Sequence, residues 1–171
     1  LKEDKLANIF VNSTLATVEN GFSDIVGLIK DSPEFVYVPE IDAEDDSKFM
    51  LIVIAANLKE IPRQLEAHQD NRMINLIIGK LSTVFDVEFD KLEGILREYQ
   101  SYLSRVNHPS NNNLYAMSKA LFFKYELGQY QEDYFKNMNA PNPLFLKRLD
   151  EAMSLFLYDW EGTKNEFQLV E

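Results

Sequence analysis

The chain has 171 residues, which suits a single domain, and 46% of them are apolar, which is enough to build a sizeable core. Its 17 basic and 28 acidic residues leave a net charge of −11, which argues against DNA or RNA as a partner because nucleic-acid affinity comes largely from Lys and Arg that neutralise phosphates. With no cysteine and only two histidines, His68 and His108, it has no disulfide, no catalytic thiol and few ligands for zinc or non-haem iron.

The N-terminal thirty residues carry apolar side chains at helical spacing, which predicts a helix. The stripe consists of Leu6, Ile9, Phe10, Leu15, Val18, Phe22, Ile25 and Ile29. Asn20-Gly21 is a turn signal inside this stretch. Two shorter helices that meet near Gly21 are therefore an alternative to one continuous helix.

Residues 31 to 46 are predicted to connect two helices. Asp31-Ser32-Pro33-Glu34 is typical of a turn, and a short extended segment is expected near 35–41 because Pro39 disfavours helix in the residue before it. The acids from Glu40 onward suit the first turn of a helix that continues through Ala56. The alternative is a small hairpin that pairs 36–38 with 50–54, since both stretches contain good strand formers.

Apolar stripes, caps and breakers predict the remaining helices. Pro62 is expected to break the pattern, after which a short helix carries Leu65 and His68. The others run from about Asp70 through Val84, from a cap at Asp86 to Val106, from Leu114 to a C-terminal glycine at Gly128, around Tyr134, and from Asn142-Pro143 through Trp160 to about Gly162. The sequence thus predicts an all-α, compact single-domain bundle of about six or seven helices over residues 1–171, with a loop after Asn107 and a frayed tail at 163–171.

The longest apolar run gives the expected relation to membranes. It extends from Phe49 to Ala56, far below the roughly 20 residues that span a bilayer. No signal-peptide pattern follows Leu1, although a leader could have been removed before it. We therefore expect a soluble protein and place it in the cytoplasm.

The densest feature is acidic, with seven carboxylates and no Lys or Arg between residues 31 and 46. They are Asp31, Glu34, Glu40, Asp42, Glu44, Asp45 and Asp46. Asp42, Glu44 and Asp46 match the first, third and fifth positions of a calcium loop. Ser47 then stands where that loop needs glycine, and Val53 where it needs glutamate. A solvated segment is preferred, and no metal or other cofactor is predicted.

Catalytic motifs are scarce. The chain contains no Gly-rich phosphate loop and no Gly-x-Ser-x-Gly elbow. Glu-x-x-His pairs of a di-iron bundle are missing, because Leu65 and Arg105 precede the two histidines at that spacing. Asp90 and Glu93 are spaced like a carboxylate pair, but Glu93 is expected to pair with Arg97 on the helix surface.

Aromatic residues are concentrated in the C-terminal half. Seven of the eight tyrosines follow residue 98, together with the sole tryptophan, Trp160. Core packing is the preferred explanation for most of these rings, and an aromatic groove or dimer face is the alternative.

Our leading hypothesis is a non-enzymatic, acidic helical protein-binding or regulatory domain. In one version it docks a basic protein partner, which could be a DNA-binding protein whose basic surface it masks. In another it self-associates as a homodimer through the aromatic C-terminal half. The candidate partner-binding residues are Asp42, Glu44, Asp45, Asp46, Tyr130, Tyr134 and Trp160. No direct contact with nucleic acid or membrane is expected.

Two other function classes remain open. One is a carboxylate-based, magnesium-dependent hydrolase, which the acid-rich segments suggest without supporting spacing. The other is a bundle that binds an apolar ligand, with Phe122, Phe123, Phe145 and Phe156 as its candidate wall.

Overall fold

The computed structural model describes every residue from 1 to 171 and confirms the predicted all-α bundle, without any β-strand. Six helices have eleven or more residues, and two are shorter. They are α1 (Glu3–Lys30), α2 (Ser47–Gln64), α3 (Gln69–Phe85), α4 (Phe89–Asn107), α5 (Asn113–Lys124), α6 (Asp133–Met138), α7 (Pro143–Met153) and α8 (Trp160–Glu166), with 3-10 turns at Leu127–Tyr130 and Ser154–Phe156. No helix combines the length and apolar composition that a membrane span requires.

The first helix is continuous, so the alternative of two helices meeting at Gly21 is wrong. Gly21 does not form a turn, and its lack of a side chain allows close packing on α1. A Cβ atom at this position would lie 2.7 Å from Cζ of Phe156, so the missing side chain lets the aromatic ring approach the helix backbone.

The second helix is the most buried element and packs against α1, α3, α4 and α5. Since residues 50–54 are helical, the hairpin alternative is wrong. Pro62 lies inside α2, and the expected helix with Leu65 and His68 is absent, because the buried Ile61 keeps the last turn packed on the core. The acids up to Asp46 precede α2 and do not form its first turn.

Several predicted helix ends differ from the structure. Asp86 ends α3 in the left-handed conformation, which a short polar side chain tolerates, and does not cap α4. Glu126 takes the corresponding role after α5, so Gly128 lies in the following 3-10 turn. The predicted cap at Asn142 with Pro143 in the first turn is confirmed, but α7 ends at Met153 and Trp160 begins a separate helix.

The buried apolar side chains form one cluster that includes residues from α1 to α5, α7 and α8. Within it, the buried Asn57 accepts from the Tyr158 N–H at 2.8 Å and donates to the Phe156 carbonyl at 2.9 Å, which fixes the link between α7 and α8 on α2.

The tail at 163–171, which the sequence predicts to be frayed, is attached to the N-terminus. Helix α8 continues to Glu166. The Val170 N–H donates to the Leu1 carbonyl at 2.8 Å, and the Glu3 N–H donates to the Val170 carbonyl at 3.0 Å. Arg72 on α3 pairs with the buried Glu3 at 2.9 Å and so holds the same end of α1. Two β-bridge-like backbone hydrogen bonds therefore join the two ends of the chain.

Candidate functional site

The connector, residues 31–46 between α1 and α2, is anchored to α7 at its start. Glu34 forms an ion pair with Arg148 at 2.7 Å, and this arginine also donates to the Ser32 hydroxyl at 3.3 Å. The Phe35 ring packs edge-on against Phe145 with centroids 4.7 Å apart. Glu34 is thus the one acid of this connector that has an ion-pair partner.

The extended segment predicted near 35–41 is limited to a single bridge at Phe35, because the chain bends at Val36 and Tyr37, and this stretch presents apolar side chains to solvent. Val36, Tyr37 and Val38 are 60%, 69% and 66% exposed, although the flanking Phe35 and Pro39 are buried. The sequence analysis did not select these three residues for binding. The local pattern consists of three successive strand formers beside Pro39 and the acidic run, and it does not distinguish an exposed segment from a buried one.

A second segment lies beside this exposed stretch. Phe35 forms an antiparallel bridge with Gln131, and the Val36 N–H donates to the Tyr130 carbonyl at 2.8 Å. The Gln131 side chain donates to the Ala140 carbonyl and accepts from the Asn142 N–H, which closes the loop around α6. The exposed apolar side chains of this neighbouring segment and the start of α7 are Tyr134, Met138 and Leu144.

The acids of the connector continue directly from the apolar stretch. Asp42, Glu44 and Asp45 are exposed, and Asp46 is half-buried at the N-cap of α2. Asp42 accepts from the Glu44 N–H at 2.9 Å, which forms a local turn. No three His, Cys, Asp or Glu side chains in the structure are close enough together to hold a metal ion.

Tyr125 holds the acidic turn in place. Its hydroxyl donates to the Asp45 carbonyl at 2.9 Å and accepts from the Phe49 N–H at 3.0 Å. Burial raises the pKa of this hydroxyl, so it remains protonated and keeps donating at physiological pH. The acids therefore project from a fixed turn.

The predicted aromatic binding residues occupy different environments. Tyr134 is 65% exposed, and Tyr130 is half-buried with its carbonyl bonded to the connector. Trp160 is only 3% exposed, because its ring packs against Phe10 and Tyr158, and it is not accessible to a partner. The structure thus brings Tyr130 to the connector, leaves Tyr134 exposed on α6 and buries Trp160 in the core.

The residues considered for catalysis do not converge. Glu93 is confirmed to pair with Arg97, at 3.6 Å on the surface of α4. His68 lies in the link between α2 and α3, and His108 follows α4 in an exposed loop. The magnesium-dependent hydrolase therefore receives no geometric support.

The phenylalanines considered for an apolar ligand site fill the core. Phe122 and Phe145 are fully buried and lie 6.3 Å apart, and Phe123 packs against Phe122. A cavity of about 710 Å³ is lined mainly by polar residues of α2, the loop before α5 and α8, such as Asn57, Gln64, Asn113 and Lys164. These rings therefore do not line an apolar ligand cavity.

Comparisons of the chain with protein-family models, with curated proteins and with solved structures found no match. The structure itself shows an all-α protein whose connector between α1 and α2 is anchored to α7 and carries exposed acidic and apolar side chains.

Proposed function

We propose that this protein is a non-enzymatic binding protein that docks a basic protein partner on the connector. The docking surface consists of the apolar residues Val36–Val38 and Tyr134 together with the acids Asp42, Glu44 and Asp45. One observation carries the proposal: three successive apolar side chains of an anchored segment are exposed directly beside a run of acids. Exposed apolar groups rimmed by charge are typical of interaction sites.

The charge of the surface selects the partner. The connector has no Lys or Arg, and the neighbouring stretch 126–139 has three acids, Glu126, Glu132 and Asp133, against one lysine. The acids of these two stretches attract a partner with Lys or Arg, and the exposed apolar side chains contribute contact area. A basic segment with interspersed apolar residues matches both properties.

A pair of labelled synthetic peptides tests this proposal. One alternates lysine with leucine and valine, and the other has glutamate in place of each lysine. Fluorescence anisotropy should show saturable binding of the lysine peptide alone, and binding should weaken with added salt because exposed charges are screened. Absence of saturable binding of the lysine peptide would refute the proposed surface.

Matched variants locate the binding. Asp42→Asn with Glu44→Gln should weaken the lysine peptide, whereas Glu19→Gln with Asp24→Asn, which removes the same charge from the exposed face of α1, should not. Tyr37→Ser should also weaken binding, and Leu155→Ser, at an exposed position outside the surface, serves as its control. Equal effects of the two acid pairs would show that net charge alone attracts the peptide.

A further inference from the structure

A second surface gathers cations in a cavity of about 490 Å³ beside α4 and the end of α5. The side chains at Glu98, Tyr102 and Arg105 share one face of α4, because they are spaced by four and three residues. Lys124, the last residue of α5, faces them across the helix packing. The lining includes Arg97, Glu98, Tyr99, Tyr102, Arg105 and Lys124.

Tyrosine rings hold two of the cations in place. The Lys124 ammonium lies 4.9 Å from the ring centroid of Tyr99 and 4.4 Å from that of Tyr102. The Arg105 guanidinium lies 5.6 Å from the ring of Tyr102. Cation–π contacts of this kind contribute about 0.5–1 kcal/mol at exposed sites, so they position a charge without neutralising it.

Two of the cations that line this cavity have no ion-pair partner. Arg97 has a carboxylate partner in Glu93, but no carboxylate lies within ion-pair distance of Arg105 or Lys124. Glu98, the acid on the cavity lining, pairs with neither of them. In a chain with a net charge of −11, two adjacent cations without an acidic partner leave their donors available for an external anion.

The tyrosines add neutral donors to these charges. Burial raises the pKa of the Tyr99 hydroxyl, and it also raises the pKa of Tyr102, where the nearby Arg105 opposes the effect. Both hydroxyls therefore remain protonated at physiological pH and can donate hydrogen bonds to an oxyanion.

We propose that this cavity binds the phosphate group of a small phosphate-bearing molecule. Lys124 supplies a compact charge and Arg105 a planar fork of donors, the two kinds of group that proteins use to bind phosphate. Glu98 is the opposing charge of the site and weakens binding of a dianion. None of these residues belongs to the docking surface on the connector, so the two sites can be tested by separate variants.

Titration of the full chain with inorganic phosphate, followed by NMR amide shifts, tests the site. Chloride at matched ionic strength is the reference. Phosphate should produce saturable shifts around Tyr102, Arg105 and Lys124, and chloride should not. Shifts that grow without saturation or that spread over unrelated surface lysines would overturn the proposal.

Charge variants then test the residue assignments. Lys124→Gln and Arg105→Gln should each weaken phosphate binding by about tenfold, the loss of one charged hydrogen bond. Glu98→Gln should strengthen it. Lys91→Gln removes an exposed charge from the same helix outside the cavity and should leave the affinity unchanged. Equal weakening by Lys91→Gln, or no change with both Lys124→Gln and Arg105→Gln, would refute the site, and circular dichroism confirms that each variant is folded.

Discussion

The buried Asn57 and the half-buried Asp150 differ in how fully their hydrogen bonds are satisfied. Asn57 uses both ends of its amide, with carbonyl oxygens of two segments and one backbone N–H as partners. Asp150 on α7 keeps a buried oxygen, Oδ1, without any hydrogen-bond partner. Because a buried polar atom loses its water without compensation, Asp150 is expected to reduce stability where Asn57 increases it.

The charge of Asp150 is expected to destabilise the fold at neutral pH. Burial raises the pKa of this carboxyl, and the Lys119 charge opposes the effect. A carboxyl whose folded pKa lies above its unfolded pKa, about 3.9, binds its proton more tightly in the folded state. Its contribution is therefore most favourable below about pH 4 and declines as pH rises through the folded pKa.

Asp150→Asn should consequently raise the free energy of unfolding at pH 7. The gain should be below about 1 kcal/mol, because partial exposure screens the charge. It should shrink as the pH falls towards about 4 and disappear near about pH 3, where the aspartate is mostly protonated in both states. Urea unfolding across this range measures the difference, with Asp24→Asn on the exposed face of α1 as the control. A loss of stability at pH 7 would show that attraction by Lys119 outweighs the cost of burial.

At the scale of elements, α1 contains two glycines with opposite surroundings. A Cβ at Gly21 would lie 2.7 Å from the Phe156 ring, which is itself packed edge-on against Phe49 at 4.9 Å. A Cβ at Gly27 would meet nothing within 4 Å. Replacing each glycine with alanine therefore measures helix propensity alone at Gly27, and helix propensity together with a steric clash at Gly21.

Gly27→Ala should stabilise the protein by up to about 1 kcal/mol, because alanine loses less backbone entropy in a helix. Gly21→Ala gains the same propensity but forces Phe156 against its neighbours, and overpacking costs about 1–3 kcal/mol. We expect a net loss at Gly21. Thermal and urea unfolding of the two variants measure both effects, and a gain at both positions would show that Phe156 moves freely.

The helices were predictable where one apolar stripe faced one core, whereas several of their ends were not. α4 shows the first case, since Leu92, Leu96 and Leu103 recur at helical spacing and are buried. Pro62 shows the second, because local chemistry argues for a break while burial of Ile61 holds the turn together. Tertiary packing of this kind is not visible in a local pattern.

The candidate site was predictable only in part, for a related reason. The acids of the docking surface could be read from composition, since they lie in one uninterrupted run. Val36 and Tyr37 could not, because their exposure depends on the bridge from Phe35 to Gln131, nearly a hundred residues further along the chain. Trp160 illustrates the converse, because aromatic composition cannot distinguish a core ring from a surface ring.

At the scale of the whole molecule, the acidic connector and the cation cavity are separate surfaces built on one apolar core. Acids of the connector lie on one side of Tyr125, whose hydroxyl bonds to Asp45, and the cation cavity begins at the adjacent residue, Lys124. The cavity lies on α4 and the end of α5, and α2, which directly follows the connector, packs against both of these helices. Unfolding of this shared core should abolish both surfaces together.

We therefore expect the 171 residues to unfold as one cooperative domain. Trp160 reports on the contact of α8 with Phe10 and Tyr158, and far-UV circular dichroism reports on all helices. Because one apolar cluster joins these elements, both signals should give the same urea midpoint. Tyr99→Trp in a Trp160→Phe background places a second reporter on α4 and should give coincident fluorescence and dichroism transitions of its own. An earlier fluorescence transition for Trp160 alone would instead identify α8 and the paired chain ends as a separately unfolding unit.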